Sequence, residues 1–81
     1  MKLSVRAARV NIGLTQAQAA KDLGVNTDTL SRYENNSSKI GRDIIEKMEE
    51  LYYVDADHIF FGDESEFYRI RQMQRDSKEK V

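Results

Sequence analysis

The sequence contains neither cysteine nor proline. Without cysteine, no disulfide framework and no thiolate metal cluster can hold the chain together. Without proline, no helix is broken by a missing backbone amide or a ring clash. Strand-like alternation is scarce. No run approaches the roughly 18 apolar residues of a membrane span, and the first residues lack the apolar stretch of a signal peptide. Histidine occurs once, at His58, so no nucleophile–base–orienter set suggests itself. A phosphate-cradling glycine loop is also missing. An enzyme is therefore not expected, nor a cofactor, a small-molecule ligand or a membrane partner. A metal site at Asp55, Asp57 and His58 is disfavoured, because alternate positions on a helix point apart.

What is present fits a small globular domain. The 81 residues are 40% hydrophobic and 33% charged. That balance reads as soluble and folded, with a cytoplasmic location expected. A chain this short buries only about 60% of its unfolded surface, so the core must be small.

The formal net charge is −1, but it is unevenly placed. Residues 1–42 carry seven Lys/Arg against three acids, a net of +4. Residues 43–68 carry one base against nine acids, a net of −8. Residues 69–81 carry five bases against two acids, a net of +3. A basic half beside an acidic middle suggests a face for an anionic partner, although ordinary solvated helix faces explain composition alone equally well.

Glycines 13, 24, 41 and 62 punctuate short helical segments. Val5, Ala8 and Ile12 share one face of a first helix over about 2–12. Thr15 and Gln18 have the form of a capping box opening a second helix. Its packed side is small: Ala17, Ala19, Ala20 and Leu23. Gly24 suits a left-handed helix end. Asn26 can cap a third helix over about 27–35, with Leu30 and Tyr33 inward. Residues 35–41 are a loop by composition. A fourth helix over about 42–53 buries Ile44, Ile45, Met48, Leu51 and Tyr52, with Glu46, Glu49 and Glu50 outside. Asp55 can cap a short fifth helix over about 56–61. A last helix to about residue 77, capped from Asp63–Glu66, has a thin apolar stripe of Phe67, Ile70 and Met73 or Gln74.

Helices two and three are joined by Gly24-Val25-Asn26, the length and composition of a helix-turn-helix turn. The run from Gly13 to Val25 (Gly-Leu-Thr-Gln-Ala-Gln-Ala-Ala-Lys-Asp-Leu-Gly-Val), followed by Leu30-Ser31-Arg32-Tyr33-Glu34-Asn35, resembles the lambda repressor/Cro-type (XRE-like) helix-turn-helix family. The stretch from Tyr53 to Gly62 is similar to that family's usual ending. The resemblance covers about residues 3–62. Tyr53 stands where the family usually has glycine, and Ala19 where it often has leucine or isoleucine. The fold implied is all-α: a five-helix DNA-binding domain over residues 1–62, with residues 63–81 as a charged C-terminal helix or tail.

The resemblance implies roles by position. The third helix would enter the major groove with its N-terminal residues at base edges. Asn26, Thr27, Asp28, Thr29 and Arg32 are the candidates there. Gln16 would meet the sugar-phosphate backbone, and Asn36, Ser37, Ser38, Lys39 and Arg42 are candidate backbone contacts around the loop. Arg9 either lies near DNA or packs against Glu34, a pairing common in the family. Leu14, Leu23, Leu30 and Tyr33 are expected in the core. The expected partner is double-stranded operator DNA, bound by a homodimer of a phage or bacterial repressor. Dimerisation is expected to use Ile59, Phe60 and Phe61, with the 66–77 segment (Phe67, Ile70) as a further surface. Three consecutive large apolar residues are hard for a small core to absorb. The alternatives are an antitoxin-like protein-interaction module on the same scaffold, or the N-terminal fragment of a longer repressor.

Overall fold

Helices occupy most of the chain in the computed structural model, which describes residues 2–79 and the side chains of residues 2–75. Met1, Lys80 and Val81, included in the expected domain ranges, lie outside the described residues. The helices are α1 (Val5–Asn11), α2 (Gln16–Leu23), α3 (Thr27–Asn35), α4 (Arg42–Tyr52) and α5 (Glu64–Glu79). Two very short strands, β1 (Leu3–Ser4) and β2 (Ile59–Phe60), pair in parallel, with Leu3 opposite Ile59 and Ser4 opposite Phe60.

Local chemistry sets most helix starts. The Ser4 hydroxyl accepts from the Ala7 amide at 3.0 Å, so α1 begins at Val5, later than its periodicity suggests. Thr15 forms the full capping box: its hydroxyl accepts from the Gln18 amide, and the Gln18 side chain accepts from the Thr15 amide. Asn26 accepts from the Thr29 amide at 2.7 Å and starts α3. Gly24 ends α2 at φ 76°, a left-handed conformation that glycine adopts without steric cost. Asp63 accepts from the Ser65 and Glu66 amides at the start of α5. The Ser65 hydroxyl and these amides hold the Asp63 carboxyl below its usual range.

The core is one cluster built from Val5, Ala8, Ala19, Ala20, Leu23, Leu30, Ile40, Met48, Tyr52 and Ile59. Half-buried Leu14, Tyr33, Ile44 and Ile45 pack around it. Ala19 and Ala20 are the small residues that let α2 approach its neighbours, whereas Ala17, expected on the packed side, is exposed. The reason is rotational: Ala19, Ala20 and Leu23 share the inward face, and position 17 points off it.

The segment after α4 differs most from the sequence expectation. The anticipated fifth helix is a single 3₁₀ turn (Ala56–His58) followed by β2. Asp55 makes no side-chain cap. The Ala56 amide donates instead to Glu49 Oε2 at 2.8 Å, so Glu49 turns inward from α4 and leaves Glu46 and Glu50 on the exposed side. Tyr53 ends α4 at φ 54° and ψ 44°, taking the left-handed position that usually falls to glycine.

Candidate nucleic-acid interface

The turn between α2 and α3 presents α3 with Thr27 and Asp28 exposed, Thr29 half-buried and Arg32 exposed. Leu30 is fully buried and Tyr33 half-buried, anchoring the opposite side of α3. Asp28 and Arg32 are four positions apart on one helix. The ion pairs among the described residues nevertheless involve Arg6, Arg9 and Arg69, and not Arg32. Asn26 is engaged by its cap, so its amide oxygen holds α3 in place.

Beyond α3 the chain forms a concavity of about 400 Å³ lined by Arg32, Asn35, Asn36, Ser38 and Lys39. Two cations and three polar side chains there make a surface suited to an anionic oxygen. Asn36 Oδ1 accepts from the Ser38 amide at 3.0 Å and from its hydroxyl at 2.7 Å, which fixes the turn. Lys39 and Arg42 are exposed beside it. Asn35 was not expected at this surface. Its only sequence signal is its place one residue before the asparagine that shapes the loop.

Two expected contact residues, Ser37 and Gln16, are committed to internal bonds, and Arg9 takes the second of its two expected places, against Glu34. Ser37 is 4% exposed. Its hydroxyl accepts from the Gly62 amide at 2.8 Å and lies 3.3 Å from the Phe60 and Gly62 carbonyl oxygens. Its own amide donates to the Gly62 carbonyl at 2.8 Å. Ser37 thus fastens the loop after α3 to the segment before α5, and no phosphate reaches it without breaking those bonds. Gln16 Nε2 donates to Glu34 Oε1 at 2.9 Å, drawing that side chain toward α3. Arg9 is buried against the same carboxylate, through Nε at 2.6 Å and Nη2 at 3.2 Å, and is therefore a packing residue.

The apolar residues expected to dimerise separate into two groups. Ile59 is 1% exposed and Phe67 6% exposed, so both belong to the interior. Phe60 packs against Phe67 with ring centroids 5.1 Å apart and the rings tilted by 45°, and Phe61 is partly buried against the core. The parallel pairing of β2 with β1 turns Ile59 inward, which a local reading of the Ile-Phe-Phe run cannot show. Ile70 remains on the surface, together with Met73 and Tyr68.

A two-helix unit joined by a glycine turn, with its second helix exposed at the N-terminal half and a basic concavity beyond it, defines a helix-turn-helix DNA-binding domain. The helix-turn-helix family model matches residues 5–59, and the chain belongs to this lambda repressor-like (XRE-like) family of DNA-binding regulators. Families of this kind are regulatory and not typically enzymatic. No curated protein matches the chain. Among the described residues, no helix is long and apolar enough to cross a membrane.

Proposed function

We propose that the protein is a sequence-specific transcriptional repressor of phage or bacterial type. It binds a roughly palindromic operator as a homodimer and excludes polymerase or a competing regulator. Each subunit lays α3 in the major groove, with Thr27, Asp28, Thr29 and Arg32 at base edges. Lys39, Arg42, Ser38 and Asn36 grip the adjacent backbone, while Gln16, at the start of α2, would reach it only by giving up its bond to Glu34. The single observation that carries this reading is Arg32. It is exposed, in no ion pair among the described residues, and set between the N-terminal half of α3 and the basic concavity. An arginine so placed can bind guanine O6 and N7 bidentately.

A salt titration of duplex binding tests the proposal. A repressor binds selected sites far more tightly than random duplex, with logarithmic affinity falling steeply as salt rises. Weak binding that is equal on all duplexes favours an interaction module and removes the repressor reading. The near-neutral total charge predicts modest non-specific affinity, leaving more of the binding to depend on sequence.

A further inference from the structure

The family match ends at residue 59, yet the loop after α3 is fixed in place by residues beyond that match. Ser37 is bonded to Gly62 in both directions. Its amide donates to the Gly62 carbonyl at 2.8 Å, and its hydroxyl accepts from the Gly62 amide at 2.8 Å. Beside it, Asn36 and Asp63 form an isolated antiparallel bridge. One residue further back, Asn35 Oδ1 accepts from Arg6 Nη2 at 3.4 Å, and Arg6 is held by Glu64 at 3.1 Å. The residues at and just after the end of α3 are thus tied, directly or through Arg6, to residues 62–64.

A little further along the loop, Ile40 is 8% exposed and belongs to the core. Ser38 and Lys39 are therefore strung between two fixed points, Ser37 on Gly62 and Ile40 in the core. Both are exposed, and both line the concavity that also holds Arg32. Ordering a loop costs conformational entropy. Here the loop is ordered in the free protein, so that cost does not fall on the binding step. Ser37 is too buried to touch a phosphate itself, but it fixes the backbone of neighbours that can.

We propose that Ser37 is a positioning residue for DNA binding: fastened to Gly62, it holds Ser38 and Lys39 where they meet the phosphate backbone. This rests on the reading of the concavity as a backbone contact. It extends that reading to the segment around Gly62, outside the family match. The grip on phosphate then depends on an uncharged, buried hydroxyl. A serine that only stabilised the fold would affect binding through the folded fraction alone, and would be indifferent to whether Lys39 is present.

Anisotropy titrations of the full chain test this, on a duplex selected from a random pool and on random duplex, over a range of salt. Ser37→Ala changes no charge, so a purely structural loss leaves the salt slope as it was. It is instead expected to weaken binding about tenfold on both duplexes and to lower the slope by about one, the signature of a lost phosphate contact. With Lys39 already changed to alanine, adding Ser37→Ala is expected to weaken binding by less than about threefold, because it acts through that side chain. Helical circular dichroism at the titration temperature confirms that the variants are folded. Amide exchange of the wild type needs no variant. With random duplex bound, the Ser37 and Gly62 amides are expected to exchange as slowly as in the free protein, or more slowly. Four results overturn the proposal: Ser37→Ala binding within about twofold of wild type, an unchanged slope, losses that simply add to those of Lys39→Ala, or faster Ser37 exchange on binding. Wild type that binds all duplexes equally strikes the repressor reading and leaves this one standing, since the effect of Ser37 is read on random duplex as well. Wild type that binds no duplex overturns both.

Discussion

Arg9 and Glu34 form a buried ion pair, Nε to Oε2 at 2.6 Å, with side chains 10% and 0% exposed. The pair ties α1 to α3, and it does not stand alone. Arg9 Nη1 donates to the Leu14 carbonyl at 2.7 Å, and Gln16 donates to the second oxygen of Glu34. Arg6 reaches the same carboxylate at 3.7 Å and Glu64 at 3.1 Å. One carboxylate thus orients α3 against α1, the start of α2 and, through Arg6, the start of α5. Removing one partner of such a pair leaves an uncompensated buried charge, a cost of about 3–5 kcal/mol. Glu34→Ala is expected to lose that much stability in urea unfolding. The double change Arg9→Leu with Glu34→Leu is expected to recover a large part of it, since no charge is then stranded.

Tyr53 is a residue in a glycine's place. It adopts φ 54° while its ring is 87% exposed, so its side chain returns little packing for the strain. A left-handed conformation costs a residue with a Cβ about 1–2 kcal/mol. Tyr53→Gly is expected to raise stability by about 1 kcal/mol, after the greater unfolded-state freedom of glycine is allowed for. Thermal unfolding measures it. Unchanged or lowered stability would show that the ring contributes more than its exposure implies.

Tyr52 is 2% exposed, and its hydroxyl has no hydrogen-bond partner among the described residues. Burial, then the nearby Glu34 charge, push its pKa up to about 12, while Arg9 pulls the other way. The native state therefore holds the phenolic proton more tightly than the unfolded chain. The stability this contributes is complete below pH 10 and drains away between about pH 10 and 12. Tyr52→Phe is expected to flatten that alkaline decline. It is also expected to leave neutral-pH stability equal or higher by up to about 1 kcal/mol, because an unpartnered buried hydroxyl is removed. Chemical unfolding from pH 7 to 12 separates the two effects.

Arg32 and Lys39 line one concavity, yet their substitutions are expected to differ in kind. Arg32→Ala should cost about 1–3 kcal/mol on selected sites and little on random duplex, relaxing base preference at one position. Lys39→Ala should weaken binding to every sequence similarly and reduce the salt slope by about one. Equal losses on all sequences for both variants would place Arg32 on the backbone.

Much of the architecture was legible in the residues because it is decided locally. The Thr15–Gln18 capping box, the Asn26 cap and the left-handed Gly24 each depend on atoms within a few residues. Their spacing therefore announces the helix-turn-helix before any coordinates. The placement of Leu30 inward and Asp28 and Arg32 outward follows from the same helical period.

Tertiary structure decided what depends on distant partners. Leu3 and Ser4 form a strand because Ile59 and Phe60 lie beside them, more than fifty residues away in the chain. That pairing takes Ile59 out of the expected dimer surface. Ser37 reads as a loop hydroxyl and is instead a buried fastener to Gly62. At Gly62 an added Cβ would sit 2.9 Å from the Phe60 ring, so the ring would have to shift to admit a side chain. Burial of Phe67 likewise moves the exposed apolar ridge along α5 to Ile70 and Met73. An unstapled helical chain with a presented third helix is written into the residues, because capping and periodicity are short-range. Which polar and which apolar side chains stay exposed depends on long-range packing, because their burial is fixed by partners far away in the chain.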